Sequence, residues 1–246
     1  GYGLKASIYV NQGQRDLAIE YYLKAVDLNP DWNWTNLLLG LEYITKKDYQ
    51  NGLYYINKSL NGGEGRAWPS FYWFIGRFFH TIGDYQRSMK YFRQSFILQP
   101  HGGAIRGYFV SLLSLHKVHD AINYLDSACL ILVNEPVCSI LKFNAHLYLK
   151  NYDQAERHFN QFLNDTGKPN LQDSIRFSYL LKETGREKEA NLIMQNCKIA
   201  IEKQLSGRGR GWNLFNLAAI YAIQNDNSSS LKYLEAAFDN IWIGRR

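Results

Sequence analysis

Small and bulky residues recur along this chain with the spacing of one helical face. Ala18, Gly52, Ser88, Ala121, Ala155, Ala190 and Ser230 are separated in turn by 34, 36, 33, 34, 35 and 40 residues. Four positions after each stands a bulky residue: Tyr22, Ile56, Phe92, Leu125, Phe159, Met194 and Leu234. Three further on come Ala25, Ser59, Ser95, Ala128, Phe162, Cys197 and Ala237, small in every case but Phe162. Steps of four and three residues stay on one stripe of an α-helix, so each set predicts a helix that another backbone can approach closely. Upstream, Ala6-x-x-Tyr9, Gly40-x-x-Tyr43, Gly76-x-x-Phe79 and Ala218-x-x-Tyr221 predict a partner helix in which a small residue admits a neighbouring ring.

A helix pair of about 34 residues cannot bury its own apolar faces, and stacking such units buries a continuous core. The pattern therefore predicts an all-α, right-handed superhelical α-solenoid of about seven helix-turn-helix repeats. Read as one solenoid over residues 1–246, its repeats fall near 1–32, 33–65, 66–101, 102–135, 136–168, 169–205 and 211–246. Gly13, Gly83 and Gly185 suit the left-handed stop after a first helix, and Asp48, Asp84 and Asp226 suit the cap of the next. Asn29-Pro30 and Gln99-Pro100 end second helices. His116 and Lys150 stand where the turn glycine would be. Two insertions, Asn61 to Arg66 and Leu205 to Gly211, read as exposed loops.

These residues resemble the tetratricopeptide repeat family, whose pattern runs from a small residue and an aromatic through a Gly-Asp-Tyr turn to Ala, an aromatic, Ala and Pro. The resemblance covers nearly the whole chain and holds best around Ala18, Gly52, Ser88 and Ser230. It implies that first helices build the inner wall, on the stripe beside the one that packs inward. That stripe offers Trp73 and Arg77, then Arg106, Asn144, Arg176 with Tyr179, and Phe215 with Asn216, a recurring set of aromatic, amide and basic groups. Some relatives hold a terminal carboxylate with Lys and Asn on three successive first helices. Gly3, Ser7, Leu38, Ser70 and Phe74 occupy the corresponding places here, so that clamp is not expected.

Composition adds little that the repeat does not already say. Hydrophobic residues are 46% and charged residues 20%, which is ordinary for a folded chain. The net charge of +6 is compatible with an acidic partner, an anionic surface or nucleic acid. The basic residues are scattered, however, without the run that marks a nucleic-acid tail. Cys129, Cys138 and Cys197 lack metal spacing and are odd in number, so they read as small unpaired core residues that favour the cytoplasm. No apolar stretch approaches the roughly 18 residues of a membrane helix. The abrupt start at Gly1-Tyr2-Gly3 reads as a cut from a longer protein.

Other chemistry finds poor footing. Gly207-Arg208-Gly209-Arg210-Gly211 lacks the Lys and Ser/Thr of a phosphate loop and follows a helix rather than a strand. His116 and His119 share a helical spacing, but two histidines at that spacing do not by themselves make a metal site. No nucleophile elbow or paired-carboxylate site is visible, so no catalytic residue, cofactor or metal is expected. The function expected is a protein interaction module that binds a peptide or protein segment, acidic in character, as an adaptor or scaffold. Two alternatives stand beside it: the sensory portion of a larger signalling or transcription-regulatory protein, and an RNA-binding helical repeat. The apolar end Asn240-Ile241-Trp242-Ile243 would need a further helix or a second copy to cover it, which raises a homodimer.

Overall fold

The small residues of the repeat are where helices meet. In a computed structural model of the protein, described over residues 1–62, 68–132, 135–205 and 210–238, only helices occur among the described residues. They come as pairs: α1 (Tyr2–Asn11) with α2 (Arg15–Leu28), α3 (Asn33–Thr45) with α4 (Tyr49–Asn61), and α5 (Pro69–Thr81) with α6 (Tyr85–Leu98). Next are α7 (Gly102–Ser114) with α8 (Val118–Ala128), and α9 (Pro136–Tyr148) with α10 (Tyr152–Thr166). The last are α11 (Leu171–Glu183) with α12 (Glu187–Glu202), and α13 (Arg210–Ile223) with α14 (Asn227–Phe238). The fold is the all-α repeat solenoid that the spacing predicts.

The chain divides into two compact units, Gly1–Val133 holding α1 to α8 and Asn134–Arg246 holding α9 to α14. Within the first, α2 packs on α3, α3 on α5, and α5 and α6 on α7. Its core includes Leu37, Ile56, Phe71, Ile75, Phe78 and Phe79, all at most 1% exposed. Within the second, α9 and α10 pack on α11, and α11 and α12 on α13, around Ile175, Leu181, Met194, Ile201, Leu217 and Ile220. Burying one such side chain is worth about 1.5–3 kcal/mol, so this shared core, not helix propensity, holds the pairs together.

Every turn inside a pair is closed in the same way. Gly13, Lys47, Gly83, His116, Lys150, Gly185 and Asn225 all have φ between 57° and 82°. At each, this residue's N–H donates to the carbonyl three residues back and the following N–H donates to the one five residues back, as in Gly83 to His80 (3.1 Å) and Asp84 to Phe79 (2.9 Å). That is the Schellman arrangement, which satisfies the last carbonyls of the first helix. His116 and Lys150 therefore take the glycine's conformation as well as its place, at a cost of about 1–2 kcal/mol each. The middle units are thereby in the same register as the others: Ala121, Ala155 and Ala190 are at most 1% exposed, like Ala18. Asp48, Asp84 and Asp226 accept from the N–H of Asn51, Arg87 and Ser229, capping α4, α6 and α14 at 3.0–3.1 Å.

In four of the pairs an aromatic of the first helix packs against a ring of its partner helix. Ring centroids are 5.2 Å apart for Tyr9 and Tyr21, 5.6 Å for Tyr43 and Tyr55, 5.4 Å for Phe79 and Tyr91, and 5.3 Å for Tyr221 and Tyr233. In the α9–α10 pair His146 and His158 take these positions and stack at 5.4 Å.

Two sequence expectations are corrected. Cys129 and Cys138 are each disulfide-bonded, and only Cys197 is a free, buried thiol. An odd count excludes complete pairing but not one bond, so the three-thiol ground for a cytoplasmic location falls away. The second insertion is shorter than expected, because Arg210 and Gly211 already belong to α13 and Gly211 is buried. Residues 206–209, residues 63–66 of the first insertion, and Asn240 to Ile243 lie outside the described residues.

Candidate functional site

First helices lie side by side within each unit, α3, α5 and α7 in one and α9, α11 and α13 in the other. Their sequence is unusual in charge. Of the 22 acidic residues in the chain, only Glu42, Asp173 and Glu183 lie in first helices, against Lys5, Arg77, Arg106, Lys142, Arg176, Lys182 and Arg210. All three acids are engaged. Arg15 pairs with Glu42 at 2.5 Å, Arg176 with Asp173 at 3.1 Å, and the Tyr152 hydroxyl donates to Glu183 at 3.1 Å. Among the described residues the remaining carboxylates sit on second helices and in turns; some cap helices and others pair with neighbouring bases such as Arg186, which holds Glu156 and Glu189.

On α5, Trp73 is half-buried and Arg77 is exposed. The guanidinium lies 4.8 Å from the Trp73 ring centroid, a cation–π contact that restrains a long side chain without neutralising it. Arg77 follows Trp73 by four residues, so one helical turn produces the contact. Trp73 also meets Phe74 edge-on at 4.9 Å, Phe74 meets Trp34 at 6.0 Å, and Trp34 meets Trp68 at 5.8 Å. Four rings thus run in edge-to-face contact across α3 and α5 and end beneath Arg77. Trp68 and Trp34 carry no signal in the repeat spacing. Trp68 caps α5 from outside the helix and is 55% exposed. Arg106 is exposed one helix further on, in α7.

In the second unit the groups are less open. Arg176 is exposed but tied to Asp173, itself buried. Tyr179 is half-buried beside Tyr152, whose phenol is pushed up by desolvation and by hydrogen bonds with Tyr179 and Glu183. Phe215 is 44% exposed and contacts Trp212 at 6.1 Å, so Trp212, at 58% exposed, is not a core residue. Asn216 is buried, 7% exposed, and Asn144 is half-buried with its Oδ1 shut off from solvent and unpartnered. The structure thus brings together Trp73 with Arg77 and places Arg106 on the next first helix. Tyr179 and Arg176 share α11, Phe215 lies on α13, and the two asparagines lie in the packing.

His146 and His158 approach each other, yet no group of three or more His, Cys, Asp or Glu capable of holding a metal occurs among the described residues. Among the same residues, no helix is long and apolar enough to cross a membrane.

Known proteins agree with this architecture. The family described as tetratricopeptide repeat matches residues 1–31 and 69–101, the α1–α2 and α5–α6 pairs. No curated protein sequence matches. Among solved structures, a tetratricopeptide repeat protein from Parabacteroides merdae is similar with a TM-score of 0.69 at 15% identity, covering 96% of this chain and 90% of that one. PilW, a widely conserved type IV pilus biogenesis factor, gives a TM-score of 0.66 at 13% identity over 80% of this chain and 91% of that one. The Pseudomonas aeruginosa pilF structure gives 0.65 at 15% identity over 83% and 92%. At such identities the likeness is one of fold.

Proposed function

We propose that this chain of tetratricopeptide repeats is a protein interaction module whose first-helix faces bind a peptide or protein segment rich in acidic groups. Stacked helix pairs generally serve as such adaptors, because each adds a strip of side chains to one extended face. The observation that carries the acidic preference is the charge of the first helices. They hold seven Lys and Arg residues and three acids, and each acid is already engaged within the chain.

Arg77 and Arg106 are exposed and make no ion pair among the described residues, so a carboxylate can reach either guanidinium in a two-point contact. Trp73 beside Arg77 supplies apolar surface that a partner can desolvate, as Tyr179 and Phe215 do within the second unit, and aromatic and Arg groups carry most of the energy in interfaces of this kind. The role is binding rather than chemistry, and no cofactor enters it.

The test is capture of a partner by the purified chain, compared with Arg77→Glu and Arg176→Glu. Arg77→Glu reverses an exposed charge, whereas Arg176→Glu also strips the buried Asp173 of its cation, so both variants are first shown to melt like the parent. Each should weaken capture, and unchanged capture by both would remove the first-helix faces from the account.

A further inference from the structure

We infer that the ring array Trp68, Trp34, Phe74 and Trp73, ending at Arg77, is the anchor point of the partner, and that it takes a peptide carrying a large apolar side chain beside carboxylates. This rests on the reading that first-helix faces bind peptide, and it fixes where on them the binding is concentrated.

Three features of the array point to a ligand. The first is exposure: Trp68 is 55% exposed and Trp34, Phe74 and Trp73 are only half-buried, so one continuous apolar strip faces water. Strips of this kind, as opposed to single exposed residues, mark binding surfaces. The second is preorganisation. Interplanar angles of 67°, 78° and 72° lock each ring against the edge of the next, and Arg77 is held over Trp73. Such side chains lose little further entropy when a ligand arrives. The third is the neighbouring helix. A Cβ on Gly103 of α7 would come within 3.0 Å of Trp73 Nε1, so a glycine lets α7 lie close beside that indole edge without a clash. With no partner for Nε1 among the described residues, its N–H can donate to a peptide carbonyl.

Charge selects the occupant. Across α1, α3, α5 and α7 the single acid is Glu42, bound to Arg15, whereas Lys5, Arg77 and Arg106 are exposed. An acidic segment is therefore attracted along the whole first-helix layer of this unit and finds its apolar anchor at the rings. Single-stranded nucleic acid needs open ring faces for stacked bases and a track of cations for phosphates. Edge-to-face packing occupies part of each face, and three scattered bases make no track, so peptide is favoured.

The experiment uses the full chain and fluorescein-labelled, end-capped peptides of about 12 residues in a Gly-Ser background, read by fluorescence anisotropy. One carries a central Phe-Asp-Glu, one Gly-Asp-Glu, one Phe-Lys-Lys, and a uridine oligonucleotide of similar length is the fourth probe. The Phe-Asp-Glu peptide should bind best, with the other three at least about tenfold weaker. Trp68→Ala and Arg77→Glu, both at exposed side chains, should each weaken it about tenfold while melting like the parent. Failure of the Phe-Asp-Glu peptide to bind, equal binding of the lysine peptide, or tighter binding of the oligonucleotide would overturn the anchor. If Arg176→Glu abolishes binding while Trp68→Ala and Arg77→Glu do not, the first-helix reading stands and this anchor falls.

Discussion

The ring of Phe92 on α6 fills the space that a side chain on Gly107 of α7 would need, and its Cε1 and Cζ lie well inside van der Waals contact of a Cβ built there. A Cβ built on Gly76 of α5 would likewise come within 2.9 Å of the same ring, so three helices close on one phenylalanine that is 2% exposed. Gly107→Ala should therefore destabilise the first unit by about 1–3 kcal/mol, the usual cost of overpacking. Urea denaturation followed by circular dichroism measures it, and an unchanged midpoint would mean that α7 can slide away without penalty.

The turn residues make a second, purely backbone prediction. No atom lies within 4 Å of a Cβ built on Gly83, whose φ is +82°, so Gly83→Ala should cost about 1 kcal/mol through conformation alone. The reverse change at Lys150, which adopts φ 57° with a full side chain, should stabilise the second unit by a similar amount. Thermal melts moving in opposite directions check this pair, and movement in the same direction would refute the shared turn geometry.

A third prediction concerns pH. His101 caps α7, its Nδ1 accepting from the Ala104 N–H at 3.3 Å while Nε2 faces Ser95 Oγ at 3.0 Å. Ser95 donates its own proton to the Pro69 carbonyl at 2.7 Å, so Nε2 carries the hydrogen and the imidazole is neutral. Burial pushes the His101 and His80 imidazoles below the ordinary value of about 6.5. The unfolded chain then takes up protons first, so the contribution is complete above about pH 6.5 and is lost as pH falls through the lower folded values. Melting temperature should drop from pH 7.5 to 5.5, and His101→Asn, which keeps an acceptor but cannot titrate, should reduce the slope. An equal slope in the variant would contradict the cap.

Thiol counting supplies a fourth. With Cys129 and Cys138 bonded, the denatured, unreduced chain should react with one equivalent of Ellman's reagent, and the reduced chain with three. Three equivalents without reductant would return the cysteines to the reduced state read from their odd number.

Much of the fold is legible from single residue types. The slots of Ala18, Tyr22 and Ala25 recur because backbone contact tolerates only small groups, and that constraint survives even where the turn glycine is replaced. His116 and Lys150 obscure the middle repeats because the hydrogen-bonded turn over-determines a conformation that their side chains disfavour. The candidate site is less legible. Helical counting places Trp73 and Arg77 one turn apart on one stripe, but Trp68 lies outside any helix and Trp34 reaches it only through the packing of α3 on α5. Asn216 shows the opposite failure, since a stripe position also becomes buried when the adjacent helix closes over it. The disulfide leaves no periodic trace.

Binding on the first helices can be read out by site-specific photo-crosslinking of the Phe-Asp-Glu peptide. A benzophenone amino acid is placed at Val110 on α7, 37% exposed, or at Leu192 on α12, 65% exposed. A crosslink is expected from position 110 and none from position 192, despite the greater exposure of the latter. A crosslink from position 192 alone would place the partner on the second helices and contradict it.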